Sequence, residues 1–267
     1  EHLGLSISPD LDTVCYPLAG LANPETGWGR LDETWQAFEN LATLGGPDWF
    51  RLGDQDLGTH LERTQRLKGG DPLSTITHDF CMAWGIGPRV LPMSDQAVPT
   101  IVHTDVGDLA FQDYFVARRC QPVVSGFEFA GLEDARPAPG VLAAIGEADA
   151  VIICPSNPWV SIAPILALPG VREALEKSNV VAISPIIGGQ ALKGPAAKMY
   201  TELGITPSAH AVAEHYGELL TGFILDDQDV KLTKLISSKT LVTDTIMLST
   251  EDQLRLAKEI LLFTQNL

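Results

Sequence analysis

The segment that decides the fold spans residues 150–184 and has the sequence AVIICPSNPWVSIAPILALPGVREALEKSNVVAIS. It begins and ends with short apolar runs of strand length, AVIIC and VVAIS, and a helical pattern over 171–177 lies between them. Further helical patterns flank it at 141–148 and 195–203. Alternation of strands and helices indicates a parallel sheet. We therefore predict an α/β fold with a Rossmann-like, doubly wound, mostly parallel sheet.

The remaining sequence predicts a smaller helical and antiparallel β insertion within a single domain. Helical patterns predominate over 1–88, and the α/β pattern occupies 137–267. The stretch between them, 89–136, alternates strand-like runs with turn residues, which predicts an antiparallel lobe. The predicted strands of this lobe are 90–93, 100–103, 109–116 and 123–129.

The composition excludes several classes of protein. The chain has 267 residues, and 34 acidic against 18 basic residues give a formal net charge of −16. Nucleic acids and anionic membranes are bound through lysine and arginine, so neither is an expected partner. No apolar run approaches the roughly 18 residues of a membrane-spanning helix. The cysteines at 15, 81, 120 and 154 are widely spaced, so we expect reduced structural thiols and a cytoplasmic protein.

Two loops that follow predicted strands offer groups suited to a phosphorylated ligand, because open parallel sheets bind ligands beyond the carboxyl ends of their strands. At the first loop, Ser156 and Asn157 stand between two prolines, although an ordinary turn explains this motif as well. At the second, Ser184 leads into a loop that contains Gly188 and Gly189. Free backbone N–H groups before a helix are a usual basis of phosphate binding. The two loops together favour a phosphorylated or nucleotide ligand.

Carboxylates recur in the helical region of the sequence. Asp10 and Asp12 lie at an expected helix start, where plain capping is the simpler explanation. Asp54 and Asp56 repeat this spacing, and His60 follows Asp56 by one helical turn. Clustered acids in phosphate-binding proteins commonly hold Mg²⁺, and an acid could equally take a proton from an attacking hydroxyl.

A series of short motifs occurs in order along nearly the whole chain. They are 8–14 (SPDLDTV), Trp28-Gly29 with Asp32, 53–60 (GDQDLGTH), 91–95 (LPMSD), 111–113 (FQD), 155–158 (PSNP) with 161–162 (SI), 184–188 (SPIIG), 194–196 (GPA) and 243–247 (TDTIM). Each motif alone is weak, whereas the ordered series is specific. It resembles the 2-phospho-L-lactate transferase family of coenzyme F-420 biosynthesis.

The resemblance implies an enzyme whose acceptor is the deazaflavin Fo. The terminal ribityl hydroxyl of Fo would receive a phospholactyl or phosphoenolpyruvyl group from a guanosine-diphosphate-linked donor, with release of GMP. The resemblance also implies Mg²⁺ as cofactor and a homodimer. It does not identify the donor, since the two groups differ by one double bond.

The resemblance also assigns the candidate residues to three roles. Asp12, with Asp10 beside it, would bind the metal or activate the Fo hydroxyl, and Asp12→Asn should abolish transfer while leaving the fold intact. The acceptor-side residues, within or next to the helical stretch 1–88, would be Asp54, Asp56, Thr59, His60, Met93 and Asp95. The donor-side residues, in the α/β stretch 137–267, would be Ser156, Asn157, Ser184, Gly188 and Gly189, to which the physics of the loop adds Lys193.

The sequence departs from the family in two places. Gln55 stands where the family often has arginine. The family also opens with a Gly-Gly-x-Gly-x-x-Lys strand–loop–helix that is not found before Glu1, so we expect this chain to be incomplete at its N-terminus.

The alternative from another class is a non-catalytic, nucleotide-sugar-binding regulatory protein on the related fold. Such a protein would share the sheet and its strand-end loops, but it has no evident need for motif 53–60 together with Asp10 and Asp12. An unrelated nucleotide-binding enzyme remains a third interpretation if the motif matches arose by chance.

Overall fold

A computed structural model of the protein describes residues 2–24 and 29–267. The chain folds as two units, Glu1–Ala97 and Val98–Leu267. Trp28, which belongs to one of the quoted motifs, lies outside the described residues. The assignment of 1–88 to the acceptor, 89–136 to an antiparallel lobe and 137–267 to the donor stays a prediction.

The described residues of the first unit are mainly helical, as the sequence predicts. The helices are α1 (Pro9–Leu18), α2 (Gln36–Thr43), α3 (Asp54–Gly69) and α4 (Leu73–Ala83). Cys15 of α1 and Cys81 of α4 are buried together with Ile86. Their free thiols lie 3.8 Å apart and belong to an apolar cluster, as expected of structural cysteines.

At the starts of α2 and α3, side-chain carboxylates accept hydrogen bonds from backbone N–H groups. Asp54, the first residue of α3, accepts a hydrogen bond from the backbone N–H of Ala37 in α2 at 3.0 Å. In return Glu33 accepts one from the backbone N–H of Gln55 in α3 at 2.6 Å. Gly53 leaves room for this contact, because a Cβ there would lie 1.8 Å from the Glu33 side chain. Both carboxylates also complement the positive end of a helix dipole.

The start of α4 is held by a carboxylate from a distant stretch of the sequence. Asp95 accepts hydrogen bonds from the backbone N–H of Ser74 at 2.7 Å and from its hydroxyl at 3.0 Å. The sequence pattern predicts Asp71 as the cap of α4 and Asp32 as the cap of α2, and both predictions are wrong. Asp71 instead pairs with Arg66 at 2.7 Å, and the N-cap positions of α4 and α2 are occupied by Pro72 and Trp35.

The second unit opens with a three-stranded antiparallel sheet, which is the antiparallel β structure that the predicted fold class includes. Its strands are β1 (Thr100–Thr104), β2 (Gly107–Ala110) and β3 (Val124–Phe129), in the order β2-β1-β3. The predicted strand 90–93 is wrong, because that stretch is irregular. The predicted strand 109–116 ends at Ala110, and a π-helical turn, Asp113–Ala117, follows and buries Tyr114 against Val102.

The rest of the second unit is the predicted α/β fold. Its elements are α5 (Val141–Glu147), β4 (Val151–Ile153), α6 (Ala163–Leu166), α7 (Val171–Leu175), β5 (Val180–Ile183), β6 (Ile186–Ile187), β7 (Gln190–Ala191), α8 (Ala196–Glu202), α9 (Ala209–Tyr216), β8 (Gly222–Leu225), β9 (Lys239–Val242) and α10 (Thr250–Thr264). Strands β4, β5, β8 and β9 form one parallel sheet in that order. The central strands β5 and β8 are buried along their whole length, as strands covered on both faces must be.

None of the helices in 2–24 and 29–267 is both long and apolar enough to cross a membrane. The C-terminal helix α10 instead packs on the parallel sheet. Its Phe263 contacts the cluster formed by Val181, Ile183 and Ile224.

This packing generates a prediction for Gly222 in β8. A Cβ at this position would lie 2.7 Å from Cε1 of Phe263 and 3.1 Å from Leu267, so alanine would force the Phe263 side chain of α10 to shift. We expect Gly222→Ala to lower the free energy of unfolding by about 1–3 kcal/mol in a urea titration. Gly126→Ala in β3 is the matched control, because its Cβ would make an ordinary 3.5 Å contact with His103, and we expect a change within about 0.5 kcal/mol. Equal stability of the two variants would contradict the prediction.

Candidate active site

A buried polar network joins α1 to α3 in the first unit. Asp12 and Tyr16 lie one turn apart on α1, and Asp56, His60 and Arg63 lie along one face of α3. Four of these residues are at most 5% exposed, whereas the side chain of Asp56 is 18% exposed. Asp56 is therefore the member of the network that reaches solvent.

The contacts of the network run from one residue to the next. The Arg63 guanidinium donates to both oxygens of Asp12, with Nη1 3.1 Å from Oδ2 and Nη2 bonded to Oδ1. Nη1 of Arg63 also lies 3.0 Å from Nδ1 of His60. Nε2 of His60 lies 3.5 Å from Oδ2 of Asp56, and the Tyr16 hydroxyl donates to Oδ1 of Asp56. The Arg63 guanidinium thus contacts both Asp12 of α1 and His60 of α3.

The two carboxylates of the network differ in their electrostatics. Burial raises the pKa of Asp12, and the Arg63 guanidinium offsets some of this rise. Burial also opposes ionisation of Asp56, but the nearby His60 ring and the hydrogen bond from Tyr16 outweigh it and lower the pKa of this carboxyl. Burial, together with the nearby carboxylates, raises the pKa of the Tyr16 hydroxyl. The Asp56 carboxylate is therefore ionised, and it accepts a hydrogen bond from the neutral hydroxyl of Tyr16.

The predicted Mg²⁺ site at Asp10 and Asp12 does not fit the geometry of α1. Both oxygens of Asp12 are engaged by Arg63. Asp10 is exposed, and two positions along an α-helix are about 200° apart around its axis, so the two carboxylates do not converge. The need for Mg²⁺ stays a prediction.

The other acceptor-side residues are distributed over the first unit. Thr59 is buried on α3, one residue before His60, and Met93 is partly buried. Asp54 and Asp95 cap the starts of α2 and α4. The structure thus brings Asp56 and His60 into one network, while a role in Fo binding stays a prediction for all of these residues.

The first donor-side loop follows β4 in the second unit. Asn157 accepts a hydrogen bond from the backbone N–H of Trp159 at 3.0 Å and caps the π-helical turn Pro158–Ile162. Its Nδ2 lies 3.1 Å from Sδ of Met199 in α8. The Asn157 side chain is therefore engaged in fixing the loop, whereas the half-buried Ser156 hydroxyl forms no hydrogen bond with the described residues of the chain.

The second donor-side loop differs from the predicted strand–loop–helix. Gly188 and Gly189 have φ values of 56° and 79° and form the two-residue turn of the β6–β7 hairpin, as in type I′ turns. The backbone N–H of Gly188 donates to Asp229 at 3.0 Å, and the Ser184 hydroxyl donates to the carbonyl of Ile186 at 2.8 Å. The N–H group of Gly188 that we predicted to be free is therefore occupied within the protein.

Lys193 lies outside the hairpin, on the exposed segment before α8. Its ammonium group makes no ion pair with the described residues. The prediction that it is a charge partner for a bound anion is therefore compatible with its position.

Four residues that the sequence analysis did not select hold these loops and helices together. Arg63 and Tyr16 complete the network in the first unit, and the spacing of Arg63 from His60 on α3 was a signal that could have revealed it. In the second unit, Asp226 follows β8 and accepts hydrogen bonds from the backbone N–H of Thr245 at 3.0 Å and from its hydroxyl at 3.1 Å. Asp229 is the fourth, and both aspartates follow an apolar run, GFIL, that has the length of a strand.

The parallel sheet with its flanking helices defines the class of the protein as α/β. A family model described as 2-phospho-L-lactate transferase CofD matches residues 1–259, and the chain belongs to this family. The family membership expected from the motifs is thus confirmed.

Similar proteins include two that are named phosphoenolpyruvate transferase. The protein from Streptomyces griseus is 49% identical over 237 residues, which cover 85% of this chain and 74% of the relative. The protein from Thermobifida fusca is 48% identical over 234 residues, which cover 85% of this chain and 72% of the relative.

Similar solved structures support the fold alone. A crystal structure of a Bacillus halodurans protein superposes with a TM-score of 0.60 at 16% identity, over 93% of this chain and 82% of the other. A second structure from that organism, described as a UPF0052 family member, gives a TM-score of 0.56 at 16% identity, over 91% of this chain and 81% of the other. The predicted fold class is confirmed.

The Arg63–Asp12 pair generates a prediction about stability. Removing one partner of a buried ion pair leaves an uncompensated charge, which destabilises a protein by about 3–5 kcal/mol. We therefore expect Asp12→Asn to lower the free energy of unfolding by about this amount in a urea titration, contrary to the expectation from sequence that the fold stays intact.

The matched control for this prediction is Asp10→Asn, on the same helix and exposed. We expect it to change stability by no more than about 0.5 kcal/mol. If Asp12→Asn were as stable as Asp10→Asn, the Arg63–Asp12 pair would not hold the two helices.

Proposed function

We propose that this protein transfers a phosphoenolpyruvyl or phospholactyl group from a guanosine-diphosphate-linked donor to the terminal ribityl hydroxyl of Fo, with release of GMP, in coenzyme F-420 biosynthesis. The observation that carries the proposal is the family match over residues 1–259. Relatives named phosphoenolpyruvate transferase at 49% and 48% identity favour the phosphoenolpyruvyl donor.

In the proposed reaction, the Fo hydroxyl oxygen forms a bond to the phosphorus atom of the transferred phosphoenolpyruvyl or phospholactyl group. The bond from that phosphorus to the bridging oxygen breaks, GMP leaves with this oxygen, and the hydroxyl proton is released to solvent. Side chains can contribute to this attack by positioning the hydroxyl and by stabilising the charge on the phosphoryl oxygens.

Asp56 is the residue that we propose for this orienting contact. It is ionised, and its side chain keeps 18% of its surface exposed. An ionised carboxylate only accepts hydrogen bonds, so it can hold a hydroxyl with the proton directed toward itself. Asp12 is less suited to this task, because Arg63 engages both of its oxygens.

On the donor side, we propose that Ser156 and Lys193 make the direct contacts. Neither side chain forms a hydrogen bond or ion pair within 2–24 and 29–267, whereas the Asn157 and Ser184 side chains hold their own loops. Gly188 and Gly189 would contribute to donor binding by shaping the turn of the β6–β7 hairpin. A flexible lysine is a common partner of phosphate groups.

Dependence on Mg²⁺ and assembly as a homodimer are proposed from the family resemblance alone. In the conformation described, the ligands of such an ion would not include Asp12.

The proposed function predicts a product that mass spectrometry can identify. The chain is incubated with Fo, Mg²⁺ and each guanylyl donor in turn, and we expect GMP together with the phosphoenolpyruvyl derivative of Fo. Asp56→Asn should reduce the rate by about 100-fold or more. Asp79→Asn, which changes an exposed carboxylate that pairs with Arg66, should retain the rate of the unchanged protein.

The outcome that contradicts the proposed function is the absence of product with both donors. If the donors then bind without reaction, the evidence favours the non-catalytic nucleotide-sugar-binding protein.

Lys193 provides a second prediction, which concerns donor binding. A hydrogen bond to a charged group contributes about 1.5–3 kcal/mol, so Lys193→Met should raise the KM for the donor by about 10- to 100-fold with little change in kcat. Lys258→Met in α10 is the control with an exposed lysine and should leave the KM unchanged. An unchanged KM in Lys193→Met would remove this residue from the donor side.

A further inference from the structure

We propose that Arg63 is a positioning residue of the candidate acceptor site, because it fixes the tautomer of His60 and so directs the Nε2 proton of His60 toward Asp56. This inference rests on the proposed function, in which Asp56 receives the acceptor hydroxyl. It adds a residue that lies behind the site, with no contact to the substrate of its own.

The first step of the argument concerns the nitrogen that Arg63 contacts. A guanidinium group has five N–H donors and no acceptor. Because Nη1 lies 3.0 Å from Nδ1 of His60, this ring nitrogen must accept the hydrogen bond through its lone pair. A neutral imidazole carries one proton, which is therefore on Nε2.

The second step concerns the direction in which this proton points. Nε2 of His60 is buried and has no hydrogen-bond partner within the described residues. The nearest carboxylate oxygen recorded for it is Oδ2 of Asp56, at 3.5 Å. The proton thus attracts the carboxylate, while the separation is longer than a direct hydrogen bond and leaves Oδ2 able to accept one from a hydroxyl.

The third step explains why this position requires arginine. Asp12 holds the guanidinium through both carboxylate oxygens, which fixes the plane of the group. The ring of Phe80 covers the same group, with its centroid 5.7 Å from the guanidinium carbon. A planar group fixed in this way can present Nη1 to His60 at the same time, whereas an ammonium group has no comparable geometry.

A purely structural role for Arg63 makes different predictions. If Arg63 only neutralised Asp12, its loss would change stability but leave the His60 tautomer and the catalytic step as they were. The tautomer and the division of the effect between kcat and KM therefore distinguish the two roles.

The experiment measures the His60 tautomer by NMR in the full chain labelled with ¹⁵N-histidine. The resonances of His60 are identified by their loss in His60→Gln. In the unchanged protein we expect a protonated Nε2 and an unprotonated Nδ1. In Arg63→Met we expect the two tautomers to mix, and we expect kcat to fall by about 10- to 100-fold with the KM for the guanylyl donor unchanged.

Two further variants keep this test decisive. Arg63→Met leaves Asp12 unpaired and could unfold, whereas Asp12→Leu with Arg63→Met removes both charges together and is better tolerated. The double variant should show the same mixing of tautomers. Arg66→Met is the matched control on α3, because Arg66 pairs with Asp71 and Asp79 near the surface, and it should change neither the tautomer nor kcat.

The outcomes separate this inference from the proposed function. A proton on Nδ1 of His60 in the unchanged protein would overturn the inference, and so would an unchanged tautomer or kcat in the folded Arg63 variants. Absence of transfer by the unchanged protein would instead overturn the proposed function, and the spectra would still report the Arg63–His60 contact.

Discussion

The first unit depends on one interaction, the buried ion pair of Arg63 with Asp12. Removing two charges from water is unfavourable, so such a pair is stable only when its geometry is good and its remaining donors are satisfied. Here both carboxylate oxygens and His60 take up guanidinium donors. The same requirement aligns α1 with α3 and places Asp56 beside Tyr16. The ion pair that stabilises the two helices therefore also positions the residues of the candidate acceptor site.

Several acidic side chains of this protein accept hydrogen bonds from backbone N–H groups, which the sequence pattern does not indicate. Asp54, Glu33 and Asp95 accept hydrogen bonds from helix N-termini, and Asp229 accepts one from a hairpin turn. Each of these carboxylates stabilises backbone that water would otherwise have to solvate. Some of the formal charge of −16 therefore has a structural origin, and acids that occur in pairs along the sequence need not converge on a metal.

The sequence predicted what depends on local pattern and missed what depends on distant partners. Alternating apolar runs identified β4, β5 and the parallel sheet, because strand and helix periods are local properties. The partner of Asp12 lies 51 residues away, and the carboxylate that binds Gly188 lies 41 residues away. Helix and strand periods relate residues only a few positions apart, so they do not predict pairs at this distance. The acids and glycines of the candidate site therefore stand out in the sequence as unusual residues, and their roles stay predictions. The hairpin turn at Gly188 and the engagement of Asp12 by Arg63 could be seen only in the fold.

The two aspartates after β8 have a mechanical consequence for the edge of the parallel sheet. Asp226 is bonded to Thr245, beyond β9, and Asp229 is bonded to Gly188, beyond β5. The loops that leave three adjacent strands are thus cross-linked through a single short segment. Displacing one of these loops therefore either breaks a hydrogen bond to Asp226 or Asp229 or moves the segment that the loops share.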